Sequence, residues 1–269
     1  MKQLVPVIVG SNFEKYEPFL IEAREWLKRE ITGTALFAKL ETEGNEPLLA
    51  YAETIVANKA YLSGLPYFDL VETESGFAVV RTDTKAPASR ERVDALKAGI
   101  EKWLSDGIEN MLEYLEENST YHEDWKSSET FSLLTETYIH KLKDFRRFAP
   151  LDGTRLDFVK LLPAMLDIIH LKIEPVISPE LSEEIIEELR DDDLTPENKK
   201  ILPNIRFAFA NYVVGRDDEA FSYLMRVRKV LLASPLTYPA FADSDLYATI
   251  LATIIEKNTV EKPIFRAGF

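Results

Sequence analysis

Apolar positions recur three or four residues apart over most of the chain, the spacing of helices that bury one face. The longest such run is RERVDALKAGIEKWLSDGIENMLEYLEEN, over about 89–118. Its stripe is Val93, Leu96, Ile100, Leu104, Ile108, Met111 and Leu115. Ser89 stands where an N-cap belongs, and Glu91 and Asp94 follow where the helix dipole favours negative charge. Trp103 and Leu112 widen the stripe, as in a bundle helix rather than a two-stranded coiled coil. Glu101, Asp106, Glu109, Glu113 and Glu116 are expected on the solvated side.

The period changes to two just before this helix. Residues 68–73 and 77–82 are rich in β-branched and aromatic side chains, with Glu74-Ser75-Gly76 between them. A three-residue loop ending in glycine predicts a β-hairpin over about 68–82. Its register would set Thr73 opposite Phe77, Val71 opposite Val79 and Asp69 opposite Arg81. A lone two-stranded hairpin is marginal in water. It must pack on its own helices or reach another chain, which makes Val71, Phe77 and Val79 interface candidates. Phe265 and Phe269 join them, because apolar residues so late in a polar tail need somewhere to dock.

Shorter helical patterns fill the rest. Ser11-Asn-Phe-Glu14 has capping-box spacing, although Pro18 moves the expected start of the first helix towards Glu17. Ile31-Thr-Gly33 breaks that helix. Helices over 34–40 and from Pro47 to about 61 follow, and 120–126 reads as a polar connection. A helix from Ser127 or Ser128 would carry Phe131, Leu134, Tyr138, Leu142 and Phe145 on one face, ending before Pro150. The turn at Asp152-Gly153 divides the chain into halves, 1–150 and 151–269, which either pack as one domain or stand as two. The second half reads as helices over about 156–172, 179–190, 195–214, 217–232 and 243–257.

The halves show weak self-similarity. At an offset of 145, Phe13-x-Lys15-Tyr-x-Pro18 meets Phe158-x-Lys160-Leu-x-Pro163. The same offset pairs Leu20 with Met165, Trp26 with Leu171, Ile31 with Val176 and Leu36 with Leu181. After a longer acidic loop the offset becomes 153, which pairs Leu49 with Leu202 and Ala57-Asn58 with Ala210-Asn211. The expected fold is mainly α: a multi-helix bundle, read either as two pseudo-repeated three-helix units or as a coincidence of amphipathic pattern, with one β-hairpin inserted before the long helix.

Composition narrows the chemistry. Of 269 residues none is cysteine, which removes disulfides, Cys-ligated metals and a Cys nucleophile. A net charge of −14 disfavours direct nucleic-acid binding. The basic cluster His140, Lys141, Lys143, Arg146 and Arg147 reads as the end of a helix. No apolar run reaches the length of a membrane span and no secretory leader is evident, so a cytoplasmic setting is expected, or a virion if the gene belongs to a phage. No nucleophile elbow, Walker-type loop or dinucleotide fingerprint occurs. Asp167 and His170 have the i, i+3 spacing of a bundle metal pair, and Glu136 and His140 the i, i+4 spacing, but no second pair completes a site. No catalytic, cofactor-binding or metal residue and no cofactor is therefore assigned.

The opening Phe13…Pro18…Ala23…Gly33 carries a resemblance, and so does Phe68-Asp-Leu-Val-Glu-Thr-Glu-Ser-Gly-Phe-Ala-Val-Val80 with Ala86-Pro-Ala-Ser-Arg-Glu-Arg-Val93. Arg155-x-x-Phe158…Leu162-Pro163-x-Met165 and Tyr238-Pro239…Ser244…Tyr247 extend it over most of the length. The chain resembles an uncharacterised family of Bacteroidales bacteria and of their phages and prophages. The tail Phe265-Arg-Ala-Gly268 departs from that family's Phe-x-Gly-Gly ending. The resemblance implies a phage or prophage setting and transfers no catalytic residue. By analogy of architecture it points to the helical adaptors that join phage heads to tails.

Three functions follow as expectations. The first is a non-enzymatic assembly protein that binds itself or other structural proteins through the hairpin and termini. The second is an enzyme or a small-molecule or metal binder with a site near His170. The third is an adaptor that docks a basic partner on the acidic run at 180–193.

Overall fold

A computed structural model describes residues 13–43, 46–68, 70–73, 76–79 and 88–256. It is mainly helical and divides into two compact units. The first comprises Met1–Leu134 and Gly153–Asp157, the second Thr135–Asp152 and Phe158–Phe269. The division falls at Leu134 and Thr135, upstream of the expected turn at Asp152-Gly153, and a short segment then returns to the first unit.

In the first unit, a 3-10 turn at Phe13–Lys15 leads into α1 (Glu17–Leu27), α2 (Gly33–Glu43) and α3 (Leu48–Gly64). Strands β1 (Leu70–Thr73) and β2 (Gly76–Val79) precede α4 (Arg90–Glu117), α5 (Ser119–Lys126) and α6 (Glu129–Leu134). α7 (Leu142–Phe145) opens the helices of the second unit, and α8 (Arg155–Lys160) runs from the returning segment into it. Then come α9 (Leu162–Ile168), α10 (Glu174–Ile177), α11 (Pro179–Asp191), α12 (Pro196–Val213), α13 (Asp217–Ala233), α14 (Pro239–Ala242) and α15 (Asp245–Glu256).

Each unit has a helix break at a residue with positive φ. Continuing from α1, Lys28–Thr32 form a π turn that ends at Gly33, with φ 72° and ψ 171°. In the second unit Ile169–Ile173 form a π turn, and after α10 the chain breaks at Ser178, with φ 82° and ψ 149°. These positions lie at the offset of 145. A Cβ on Gly33 would come within 2.6 Å of Ser128 Cβ, so glycine admits α6 to the break. Carbonyls released by the first π turn are taken up there: Trp125 Nε1 donates to Ile31 O (3.1 Å) and Thr130 Oγ1 to Arg29 O (3.3 Å).

Burial follows the same order in both units. Ala23, Leu27 and Ile31 correspond to Ile169, Ile173 and Ile177, and Leu36 and Leu40 to Leu181 and Ile185. The match before the break runs one position later than the expected pairs such as Ile31 with Val176. The reason is Thr32, a buried extra residue whose hydroxyl donates to the Gly33 carbonyl. Asn58 and Asn211 are both buried, and each donates Nδ2 at 2.8 Å to the carbonyl four residues back, Thr54 and Phe207. A shift of 116 positions superposes Leu104, Ile108, Met111 and Leu115 of α4 on Ala220, Leu224, Val227 and Leu231 of α13, all buried.

Several expectations are corrected. The pairing is Leu70 with Val79, Val71 with Ala78, Glu72 with Phe77 and Thr73 with Gly76. Only two residues separate the closing pair, so the register slips by one, which exchanges strand faces. Val71 and Val79 are not partners; the Asp69–Arg81 pair lies outside the described residues, as do Ser11 and Asn12. Residues 120–126 are not a polar connection: α5 buries Tyr121 and Trp125, and Asn118 caps it through Thr120 N (3.0 Å). The single helix expected up to Pro150 is split between α6 and α7. In the gap the Thr137 hydroxyl bonds Ile139 O (2.9 Å), a local side-chain bond that competes with helix. Trp103 is exposed, and Glu109, expected in solvent, is buried. Gly107 meets Ile55 Cγ1 at 3.3 Å from its notional Cβ, whereas Gly99 faces open space.

Gly33 and Ser178 should respond differently to substitution. Gly33→Ala incurs both a disfavoured φ and overlap with Ser128, and should cost about 2 kcal/mol or more. Ser178→Gly relieves a conformation that is nearly exclusive to glycine, and a Ser-to-Gly cap exchange costs only a few tenths of a kcal/mol. Urea unfolding of the two variants should show a lowered midpoint for the first and none for the second.

Candidate functional site

Two clefts and one covered helix face on the described surface bear on the expected sites. In the first unit a cavity of about 370 Å³ is lined by Leu27, Phe37, Leu40, Ala52 and Val56, with the exposed ion pair of Arg24 and Glu41 beside them. In the second, a groove of about 450 Å³ sits at the corresponding place between the π turn and α11. Leu166, Ile169 and Ile186 line it together with Glu136, Glu174, Glu183, Glu187, His170 and Arg190.

This groove is where the expected site near His170 falls. His170 Nδ1 lies 3.0 Å from both carboxylate oxygens of Glu174, one turn ahead of it. Asp167, three residues behind, is exposed and does not line the groove. Among the described residues no group of three or more His, Asp or Glu is arranged to hold a metal ion. The Ser182 hydroxyl lies 2.6 Å from the Tyr138 hydroxyl. Burial pushes the Tyr138 phenol well above its ordinary range, and Ser182 only partly opposes this. A phenol held protonated does not activate serine for attack.

The expected basic cluster is tied up locally. Lys141 and Arg147 lie 3.5 and 3.3 Å from Asp144, and Arg146 Nε donates to Leu151 O at 3.0 Å. Glu184 and Glu188, from the acidic run, accept from Asn198 Nδ2 at 2.9 Å each, binding α11 to α12.

The covered face lies on α4. Ser105, Glu109, Leu112 and Glu116 form a second row beside the core stripe, and the returning segment Gly153–Asp157 lies on it. Thr154 starts α8: its backbone N–H and its hydroxyl both donate to Asp157 Oδ2, at 3.0 and 2.8 Å. Arg155 N donates to Ser105 Oγ (2.7 Å), and Arg155 Nη1 meets Glu109 Oε1 at 3.1 Å. Leu156 packs on the first unit's core. Burial pushes the Arg155 guanidinium below its ordinary value, while the charge and hydrogen bond of Glu109 and the charge of Glu116 pull it back. Sequence reasoning missed this contact, which joins residues 46 positions apart. The available signal was the i, i+4, i+7, i+11 spacing of Ser105, Glu109, Leu112 and Glu116.

Of the interface candidates, Val71, Phe77 and Val79 lie on the paired strands, with Cα partners Ala78, Glu72 and Leu70. Phe265 and Phe269 lie outside the described residues. No described helix is long and apolar enough to cross a membrane.

With this geometry in view, comparison with known proteins is brief. Residues 4–132 match DUF6712, a family of unknown function. The match ends two residues short of Leu134, the end of the first unit's main segment, and leaves the second unit unmatched. No curated protein and no solved structure matches the chain.

The buried ion pair makes a sharp prediction. Arg155→Ala strands Glu109 in the interior and should cost about 3–5 kcal/mol. Arg155→Met combined with Glu109→Leu should recover most of that loss in chemical denaturation, because an apolar pair replaces the ionic one without leaving a buried charge.

Proposed function

We propose that the protein is a non-enzymatic assembly component, built from two copies of one helical motif and carrying an added segment that engages partners. The observation that carries this reading is the connection between the third and fourth long helices of each unit. In the second unit α12 passes to α13 through residues 214–216. In the first, residues 65–89 lie between α3 and α4 and include the paired strands. A helical motif that closes in one tight turn does not need the longer segment for folding. Loops carried on a rigid scaffold are where binding concentrates.

The site chemistry agrees with an assembly role. The buried Ser182 faces a protonated phenol, and His170 faces Glu174 on an exposed helix surface. The phage or prophage setting, and a place as a connector or adaptor between structural proteins, rest on the family resemblance and on the analogy of helical build. The groove of about 450 Å³ beside His170 supports a second reading, a small-molecule-binding unit.

The test separates folding from association. A variant with residues 69–81 replaced by Gly-Ser-Gly should keep the full chain's cooperative unfolding but lose self-association, or capture of a structural partner, in light scattering over a concentration series. A variant that assembles like the full chain overturns the role given to this segment.

A further inference from the structure

The two units treat one space differently. In the second unit Tyr138 is fully buried and held against α11 and α12. Its hydroxyl lies 2.6 Å from that of Ser182 on α11. Its ring meets Phe209 of α12 edge-on, with centroids 5.7 Å apart. Arg206, also on α12, donates Nε to the Tyr138 carbonyl at 3.0 Å. Three side chains from two helices thus seat one residue of a non-helical stretch, 135–141.

The offsets carry these three positions into the first unit. Ser182 corresponds to Phe37 at 145, and Arg206 and Phe209 correspond to Glu53 and Val56 at 153. The second offset is anchored by Asn58 and Asn211, both buried and both bonded to the carbonyl four residues back. Phe37, Glu53 and Val56 all line the cavity of about 370 Å³. The cavity therefore lies where the second unit seats Tyr138. Ala52 and Val56 widen it, since the second unit carries the larger Ile205 and Phe209 at these positions. The second unit's own groove has no lining residue from α12, the side that Tyr138 fills.

We infer that the cavity of the first unit receives an aromatic side chain from a non-helical segment of a partner protein, with a basic residue beside it. The chemistry follows the changes between the units. Ser182 gives the Tyr138 phenol a hydroxyl partner, whereas Phe37 offers only a ring, so the seated side chain has an apolar tip. Leu27 and Leu40 continue that apolar wall. Arg206 donates to a carbonyl, whereas an ionised Glu53, exposed at the same place, only accepts. It calls for a cation next to the seated ring. Arg24 at the mouth is already paired with Glu41, so Glu53 leaves the rim with a net negative charge. The partner segment is non-helical because the Tyr138 that it mirrors lies in such a stretch. This inference deepens the assembly reading and rests on it.

Peptide titration of the full-length chain, followed by NMR, tests it. The probe is the tetrapeptide acetyl-Gly-Phe-Arg-Gly-amide. It should shift the resonances of Phe37, Ala52 and Val56, and bind at least about tenfold more tightly than the analogue with Ala for Phe. It should bind about threefold more tightly than the analogue with Glu for Arg. Glu53→Arg, at an exposed position, should reverse the order of the Arg and Glu peptides. Val56→Phe gives the cavity the second unit's wall and should abolish binding, with circular dichroism and thermal unfolding establishing that the fold is kept. Absent binding, equal binding of the Phe and Ala peptides, or shifts confined to other residues overturns the cavity as the site. An unchanged order of the charged peptides in Glu53→Arg overturns the basic neighbour. Phenylalaninamide binding as tightly as the tetrapeptide overturns the partner segment in favour of a small amine. If the peptide fails while replacement of 69–81 abolishes association, this contact falls and the assembly reading stands. If the peptide binds as expected while that replacement leaves assembly unchanged, this contact stands and the role given to 69–81 falls.

Discussion

A helix that must stop and restart within one residue places a demand on the backbone, and each unit meets it with a left-handed residue. Gly33 reaches φ 72° without a Cβ, and Ser178 reaches φ 82° despite one. The π turns that precede these breaks release carbonyls, and buried polar backbone must be satisfied. In the first unit Trp125 and Thr130 supply the donors, and both come from the helices that follow α4. In the second unit the Ser178 hydroxyl instead caps the helix it begins, accepting from Leu181 N at 3.3 Å. In the first unit the break is therefore closed by donors from later helices, and in the second by its own residue's side chain.

From that shared frame the units diverge in what they leave uncovered. The α4 row pairs Glu109 with a fully buried Arg155, an arrangement that holds the returning segment in place while costing desolvation of both charges. The α13 row exposes Phe221, Met225 and Leu232 and carries Arg228 among them. Burying the Glu109 carboxylate requires the cation that Arg155 supplies.

The segment between α3 and α4 is the other point of divergence. The second unit makes this connection with residues 214–216, where the first carries residues 65–89. The groove of the second unit carries a buried Tyr138–Ser182 hydroxyl pair at 2.6 Å.

Much of the helical order was legible in the chain. The three-to-four spacing located α4, α11, α12 and α13, because burying one face of a helix leaves that period whatever it packs against. Pro18 and Gly33 marked a start and a break because their constraints are local. The strand pattern at 68–82 was visible, but its register was not, since a loop of two residues or three fits the same letters. Tertiary structure alone decided that 120–126 is a buried helix and that Tyr138 lies in a non-helical stretch. It also decided that Glu109 lies inside. A carboxylate on a helix reads as solvated until a guanidinium 46 positions away is brought to 3.1 Å, and only the folded chain determines that distance.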